Sequence, residues 1–184
     1  DAELALTFAS QAAIAIANAR LFEEADHRST TLETLLEVGQ TLASKATQNP
    51  GKVLQVIVEG AARVTGADSV VIYPYNAATQ SYERQLIRHV GLREALIPRE
   101  TPRRVSGLGA SIVARGRLIV EDVEADEGAR GAKFNQREGI KSFAAVSLVT
   151  SGEPVGLLFV NFRRRHHFSP DEERMIDIFA NQAA

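Results

Sequence analysis

The segments Ser142–Val149 and Pro154–Phe162 constrain the fold most, because nearly every position in both is apolar. A half-exposed strand alternates apolar and polar residues, whereas short continuous apolar runs suit strands covered on both faces. The Thr150-Ser-Gly-Glu153 link between them carries the glycine of a tight reversal. The pair therefore reads as an antiparallel hairpin at the centre of a sheet with cover on both sides.

Other segments supply the strands and the cover. Ser69–Tyr75 is a β-branched and aromatic run ending at the Asn76–Gln80 turn, with Tyr82–Val90 as its antiparallel partner. Leu118–Val120 is a brief strand. Asn49-Pro50 opens a helix with an Asn cap and Pro in the first turn, and Gly66 stops it. Ser106–Arg115 is a short helix with Leu108, Ile112 and Val113 turned inward and Gly116 as its cap. Ser169-Pro-Asp-Glu-Glu173 starts the last helix with a Ser cap, Pro at the first position and acids in the first turn. Gly91–Arg104, with Pro98 and Pro102, reads as irregular. Glu124–Gly139 reads as a long charged loop with one turn around Asn135–Glu138, a length that points to function or mobility.

The two ends of the chain repeat each other. Phe8-Ala-Ser-Gln-Ala-Ala13 returns as Phe179-Ala-Asn-Gln-Ala-Ala184, which suggests one closing helix seen twice. A stripe through Ile14, Asn18, Leu21, Ala25, Arg28, Leu32, Leu35, Gly39 and Leu42, at alternating steps of four and three, continues the first copy forward. It crosses Asp26-His27-Arg28-Ser29 without Pro or Gly, so one helix over 2–45 is expected; Ser29–Thr31 with Glu33 offers an alternative fresh N-cap. A sustained heptad wants a partner helix, either in a second copy of the chain or on the chain's own domain. The expected division is 1–30, a closing helix and linker, and 31–184, a domain whose final helix is cut short.

Composition closes several routes. With 184 residues, 45% hydrophobic and 24% charged, the chain can bury a full core. A formal charge of -2 gives no electrostatic case for nucleic acid or an anionic membrane, and no apolar run spans a bilayer, so a cytoplasmic location without direct membrane contact is expected. The absence of cysteine removes thiolate nucleophiles, Cys-based zinc sites and thioether-linked cofactors. Gly107-Leu108-Gly109 lacks the third glycine and the βαβ setting of a dinucleotide fingerprint, and no HExxH, Walker or GxSxG string exists. No catalytic or metal-ligating residues are assigned.

Four strings carry a resemblance: Leu118-Ile-Val-Glu-Asp-Val123, Glu138-Gly-Ile-Lys-Ser-Phe143, Glu153-Pro-Val-Gly-Leu-Leu-Phe-Val160 and Phe168-Ser-Pro-Asp-Glu-Glu173. Together with the element order they resemble a GAF domain of bacterial multi-domain signalling proteins, of the sensor histidine kinase type. Gln11–Phe22 is similar to the closing helix of another such domain. The resemblance implies an α+β, PAS-related fold. Its central antiparallel sheet would have terminal helices on one face and short helices and loops over a pocket on the other. The implied pocket residues are Tyr73, Tyr75, His89, Leu108, Ile112, Asp122, Phe134 and Ser142. Asp122, at a strand end, also has an ordinary reading as an acceptor for nearby backbone N–H groups.

The implied function is a non-catalytic sensory module that binds a small molecule and signals through paired terminal helices to an output domain, such as a histidine kinase or cyclase. The alternative is a ligand-free dimerisation and relay module. Bilin attachment through cysteine is excluded by composition. Haem is disfavoured, because His89 does not stand where haem-binding members supply their ligand. Cyclic-nucleotide binders carry a dispersed Asn-Lys-Phe-Asp-Glu signature, which the contiguous Lys133-Phe134-Asn135 does not reproduce. Sulfoxide-reducing members rely on cysteines that this chain lacks.

Overall fold

The computed structural model describes residues 11, 13–21, 25, 29, 33, 34, 36, 39, 49–93 and 107–184. The chain divides into two units, Asp1–Glu37 and Val38–Ala184. The described residues of the first unit are helical. Ile14, Ile16, Leu21 and Leu36 are exposed on it, as is Ala25, while Thr34 is buried. Leu32, Leu35 and Leu42 of the expected stripe, and the crossing at Asp26–Arg28, lie outside the described residues.

In the second unit the elements are α1 (Pro50–Thr65), β1 (Ser69–Asn76), β2 (Ser81–Tyr82), a 3-10 turn (Arg84–Leu86), β3 (Arg88–Val90), α2 (Gly107–Arg115), β4 (Arg117–Val120), α3 (Glu127–Arg130), α4 (Lys133–Glu138), β5 (Ser142–Thr150), β6 (Glu153–Phe162) and α5 (Pro170–Ala183). All pairings are antiparallel, in the order β2-β1-β6-β5-β4, with β3 also on β1. The β5–β6 hairpin thus lies inside the sheet. Its two turn residues, Ser151 and Gly152, both have positive φ (53° and 83°), the hairpin geometry whose twist matches that of the strands.

Alternation along the strands sorts the core into two layers. One face presents Val70, Ile72, Ala144, Leu158, Val160 and Phe162 to α1 and α5, which pack on the sheet and on each other. Ile57, Val58, Ala61 and Val64 from α1, with Ile176, Phe179 and Ala180 from α5, complete that layer. Each large apolar side chain buried there contributes about 1.5–3 kcal/mol. The other face presents Val71, Tyr73, Val120, Phe143, Ala145, Leu157 and Phe159 to α2, α3 and α4.

Two expectations need correction. Tyr82–Val90 is not one strand. Asn76 turns the chain by accepting the Ala78 and Thr79 N–H groups and donating to Glu83 Oε1, and the 3-10 turn then separates β2 from β3. Glu124–Gly139 holds two short helices where one turn was expected: the turn around Asn135–Glu138 is part of α4, and α3 precedes it. Asp126 caps α3 by accepting the Ala129 N–H at 2.7 Å, and Asn135 on α4 donates to the Ala129 carbonyl at 2.9 Å. Helices this short offer too few positions for an apolar period to show. Of the expected irregular stretch after Gly91, residues 94–106 lie outside the described residues.

Basic residues after β6 pair with acids around the sheet end. Arg164 pairs with Asp68, Arg165 with Asp122, His166 with Glu172 and His167 with Glu121. Most of the acids come from loops; only Glu172 belongs to a helix.

Candidate ligand site on the sheet face

The face covered by the short helices is an aromatic row set by strand register. Tyr75 and Tyr82 face each other across β1 and β2, edge to face at 5.4 Å; Tyr82 meets Tyr73 at 6.0 Å, Tyr73 meets Phe159 at 5.8 Å, and Phe159 meets Phe143 at 6.1 Å. Such edge contacts add about 0.5–1.5 kcal/mol each beyond burial. Tyr73 is at the middle of the row and buried, which pushes its phenol well above the usual range; Arg137 opposes this, and Tyr82 and Glu138 add to it. That phenol stays neutral at ordinary pH.

Six of the eight expected pocket residues meet on this face. Ile112 is fully buried against the row, and Leu108 and Phe134 pack on it half-buried. His89 on β3 stands opposite Val71 and so shares its face with Tyr73 and Tyr75. Burial holds the His89 imidazole below its ordinary pKa; Glu138 opposes that shift and Arg88 reinforces it. Asp122 is at the rim, where Oδ1 accepts the Glu124 N–H at 3.1 Å and Oδ2 pairs with Arg165 at 2.6 Å. Ser142 corrects the expectation. It is opposite Phe162 in register, hence on the far face, and its hydroxyl donates to the Arg164 carbonyl at 2.8 Å.

Two residues outside the expected set organise the site. Glu138, one turn beyond Phe134 on α4, is 1% exposed despite its charge. Its Oε2 accepts the Arg93 backbone N–H at 2.9 Å and faces Arg163 Nη2 at 3.3 Å. Arg163 also donates from Nε to the Glu138 carbonyl and from Nη2 to the Gly91 carbonyl, so it binds α4, β6 and the end of β3 together. Glu138 Oε1 has no hydrogen-bond partner; Arg137 Nε, at 3.9 Å, is too distant for one. A buried carboxylate oxygen left this way costs about 1–3 kcal/mol or more, so a donor brought to it is favoured. Nothing in the periodicity distinguished Glu138 from its exposed neighbours. The only sequence signal was its place in the Glu138-Gly-Ile string. Among the described residues no cluster of three or more His, Asp or Glu could hold a metal ion, and no helix is long and apolar enough to cross a membrane.

A family model described as "GAF domain" matches residues 49–184. The chain belongs to the GAF domain family. No curated protein sequence matches it. Several solved structures share its fold. The GAF domain of a phosphoenolpyruvate-protein phosphotransferase from Coxiella burnetii is 17% identical with a TM-score of 0.69, over 84% of this chain and 90% of that one. The free methionine-R-sulfoxide reductase of Neisseria meningitidis, solved with its substrate, is 17% identical with a TM-score of 0.65, over 83% and 85%. A domain of a putative two-component sensor histidine kinase from Sinorhizobium meliloti is 19% identical with a TM-score of 0.53, over 72% and 85%. At these identities the likeness establishes the fold alone. GAF domains are in general regulatory and sensory modules of signalling proteins, and membership of the family places this chain in that class.

Proposed function

We propose that this GAF domain is a non-catalytic sensory module that binds a small molecule against the aromatic row and signals through its terminal helices. The observation that carries the reading is Glu138 Oε1: a buried carboxylate oxygen without a hydrogen bond, its nearest cation Arg137 Nε at 3.9 Å, beside an apolar and aromatic face. A ligand with an N–H or O–H group would relieve it, and the rings would take its flat or apolar part. A thermal-shift screen of metabolites and cyclic nucleotides is the test. Stabilisation by a ligand should be lost in Glu138→Gln; no shift at millimolar ligand would reject the binding half. The non-catalytic half rests on the absence of cysteine from the sequence.

A second reading, ligand-free dimerisation and relay, is favoured by the helical, exposed Ile14, Ile16, Leu21 and Leu36. In that reading a second copy covers these side chains, and adjacent GAF and output domains in the same chain receive the signal. Sedimentation of the chain should show a dimer that Leu21→Lys weakens at least about tenfold, since a charge in a packed helix seam costs more than 1.4 kcal/mol. A wild-type monomer at high concentration would remove this reading's support.

A further inference from the structure

Strand β4 closes one side of the sheet, and among the described residues no strand pairs with its outer edge. The register fixes which backbone groups lie on that edge. The Ser147 N–H donates to the Gly116 carbonyl at 2.8 Å, so these two residues form a hydrogen-bonded pair. Bonded pairs alternate along an antiparallel ladder, so Leu118 and Val120 also turn to β5, opposite Ala145 and Phe143. The N–H and C=O groups of Arg117 and Ile119 therefore point outward, with Glu121 next in the same series. No backbone bond from another segment meets them among the described residues. Leu118 and Ile119 are only half-buried. Between Arg117 and Glu121 the edge carries no charge, Pro or bulge, the features that commonly keep one edge from pairing with another.

We propose that this edge pairs with the same edge of a second copy, antiparallel, about a two-fold axis through Ile119. Only outward-facing residues can exchange backbone bonds, and this register matches them: Ile119 faces the partner's Ile119, and Arg117 faces the partner's Glu121. Leu118 then lies beside the partner's Val120 on the other face of the sheet, so the centre of the pairing is apolar on both faces. Charge order selects the direction. Arg115 and Arg117 precede the apolar centre, and Glu121, Asp122 and Glu124 follow it. Antiparallel pairing sets the basic end of one copy against the acidic end of the other, whereas parallel pairing sets like against like. Arg117 already bonds Glu173 and Asp177 of α5, so the cation left for this end is Arg115, exposed and without an ion pair among the described residues. Glu121 places Oε1 on His167 and the Phe168 N–H, and its Oε2 has no bond among the described residues. An axis through Leu118 needs Arg115 to sit in the ladder opposite the partner's Glu121, but Arg115 is the last residue of α2. Neither Glu138 nor the first unit takes part, so failure here is independent of failure of either functional reading.

The chain has no cysteine, so one introduced thiol reports on one place. Residues of a hydrogen-bonded antiparallel pair stand about 5.5 Å apart at Cα, within disulfide reach. Ile119→Cys in the intact chain, held in a glutathione redox buffer, should give at least about tenfold more disulfide-linked dimer than Ser151→Cys, because paired thiols meet at the effective concentration of a complex. The exposed hairpin-turn thiol of Ser151→Cys measures random collision. Sedimentation supplies the second reading, in a chain carrying Leu21→Lys so that helix pairing does not contribute. Ile119→Pro removes an N–H that faces away from β5 and leaves the β4–β5 bonds in place. It should weaken association by about tenfold or more, the loss of the two backbone bonds at the axis. Ile119→Lys keeps that N–H and sets two ammonium groups opposite each other, so it should weaken association as well. Equal crosslinking of Ile119→Cys and Ser151→Cys, undiminished association in both Ile119→Pro and Ile119→Lys, or a Leu21→Lys chain that stays monomeric at high concentration would each overturn the assignment.

Discussion

Gly51 illustrates how one residue in the first turn of α1 fixes a distant strand. Arg88 on β3 donates from Nε to the Gly51 carbonyl at 2.9 Å and from Nη1 to the Gln85 and Ile87 carbonyls at 2.9 and 2.8 Å. A Cβ at Gly51 would collide with the guanidinium. Gly51→Ala is expected to lower unfolding free energy by about 1–3 kcal/mol, as overpacking does, measured by urea titration. In an Arg88→Ala background the same change should become neutral or mildly stabilising, because alanine favours helix over glycine. His89, next along, gives a pH signature. Its folded-state pKa is lowered from the ordinary 6.5, so the unfolded chain takes up a proton first. Its contribution is present above that value and is lost as pH falls below it. Urea midpoints should drop between neutral and mildly acidic pH more steeply in the wild type than in His89→Gln; parallel profiles would refute the assignment. These particulars were not legible in the sequence, since nothing local to Gly51, Arg88, His89 or Glu138 announces what arrives from elsewhere in the chain.

At the scale of elements, legibility followed local chemistry. The cap of α5 was readable because Ser169 and Glu172 act within one turn. The Ser169 hydroxyl accepts the Glu172 N–H at 3.2 Å, and Glu172 Oε2 accepts the Ser169 N–H at 2.9 Å. The other Glu172 oxygen meets His166 Nε2 at 2.8 Å, and the His166 ring stacks on Phe162 at 3.8 Å, which joins the cap to the end of β6. Ser169→Ala should cost about 1 kcal/mol in chemical denaturation, the usual value of an N-cap. A loss below a few tenths would mean that His166 and Glu172 hold the turn unaided. The β5–β6 hairpin was equally legible, from its apolar runs and its Ser151-Gly152 turn. The short helix α3 was not, and of α4 only the turn around Asn135–Glu138 was: their formation depends on Asp126 and Asn135 bonding around Ala129, a pattern without hydrophobic period. Likewise β2 and β3 read as one strand, because the side-chain bonds of Asn76 that divide them leave no mark on apolar alternation.

For the molecule as a whole, the family resemblance anticipated the α+β fold and the helix cover on one face. It also anticipated which face would gather Tyr73, Tyr75, His89, Leu108, Ile112 and Phe134. Register decided the rest: Ser142 is one position away from Phe143 and so belongs to the opposite layer. Strand β6 has a further consequence. It occupies the middle of the sheet yet is the last strand in the chain, and it pairs with β1 across a separation of 92 positions between Ser69 and Asn161. During synthesis β1 therefore waits with one edge bare until β6 emerges, while β4, β5 and β6 can zip together from neighbouring sequence. Loop closure over such a span slows the docking of β1 onto β6. Chains halted before Phe162 would present open strand edges to one another, so the interval between these two strands is when this domain is most exposed to aggregation.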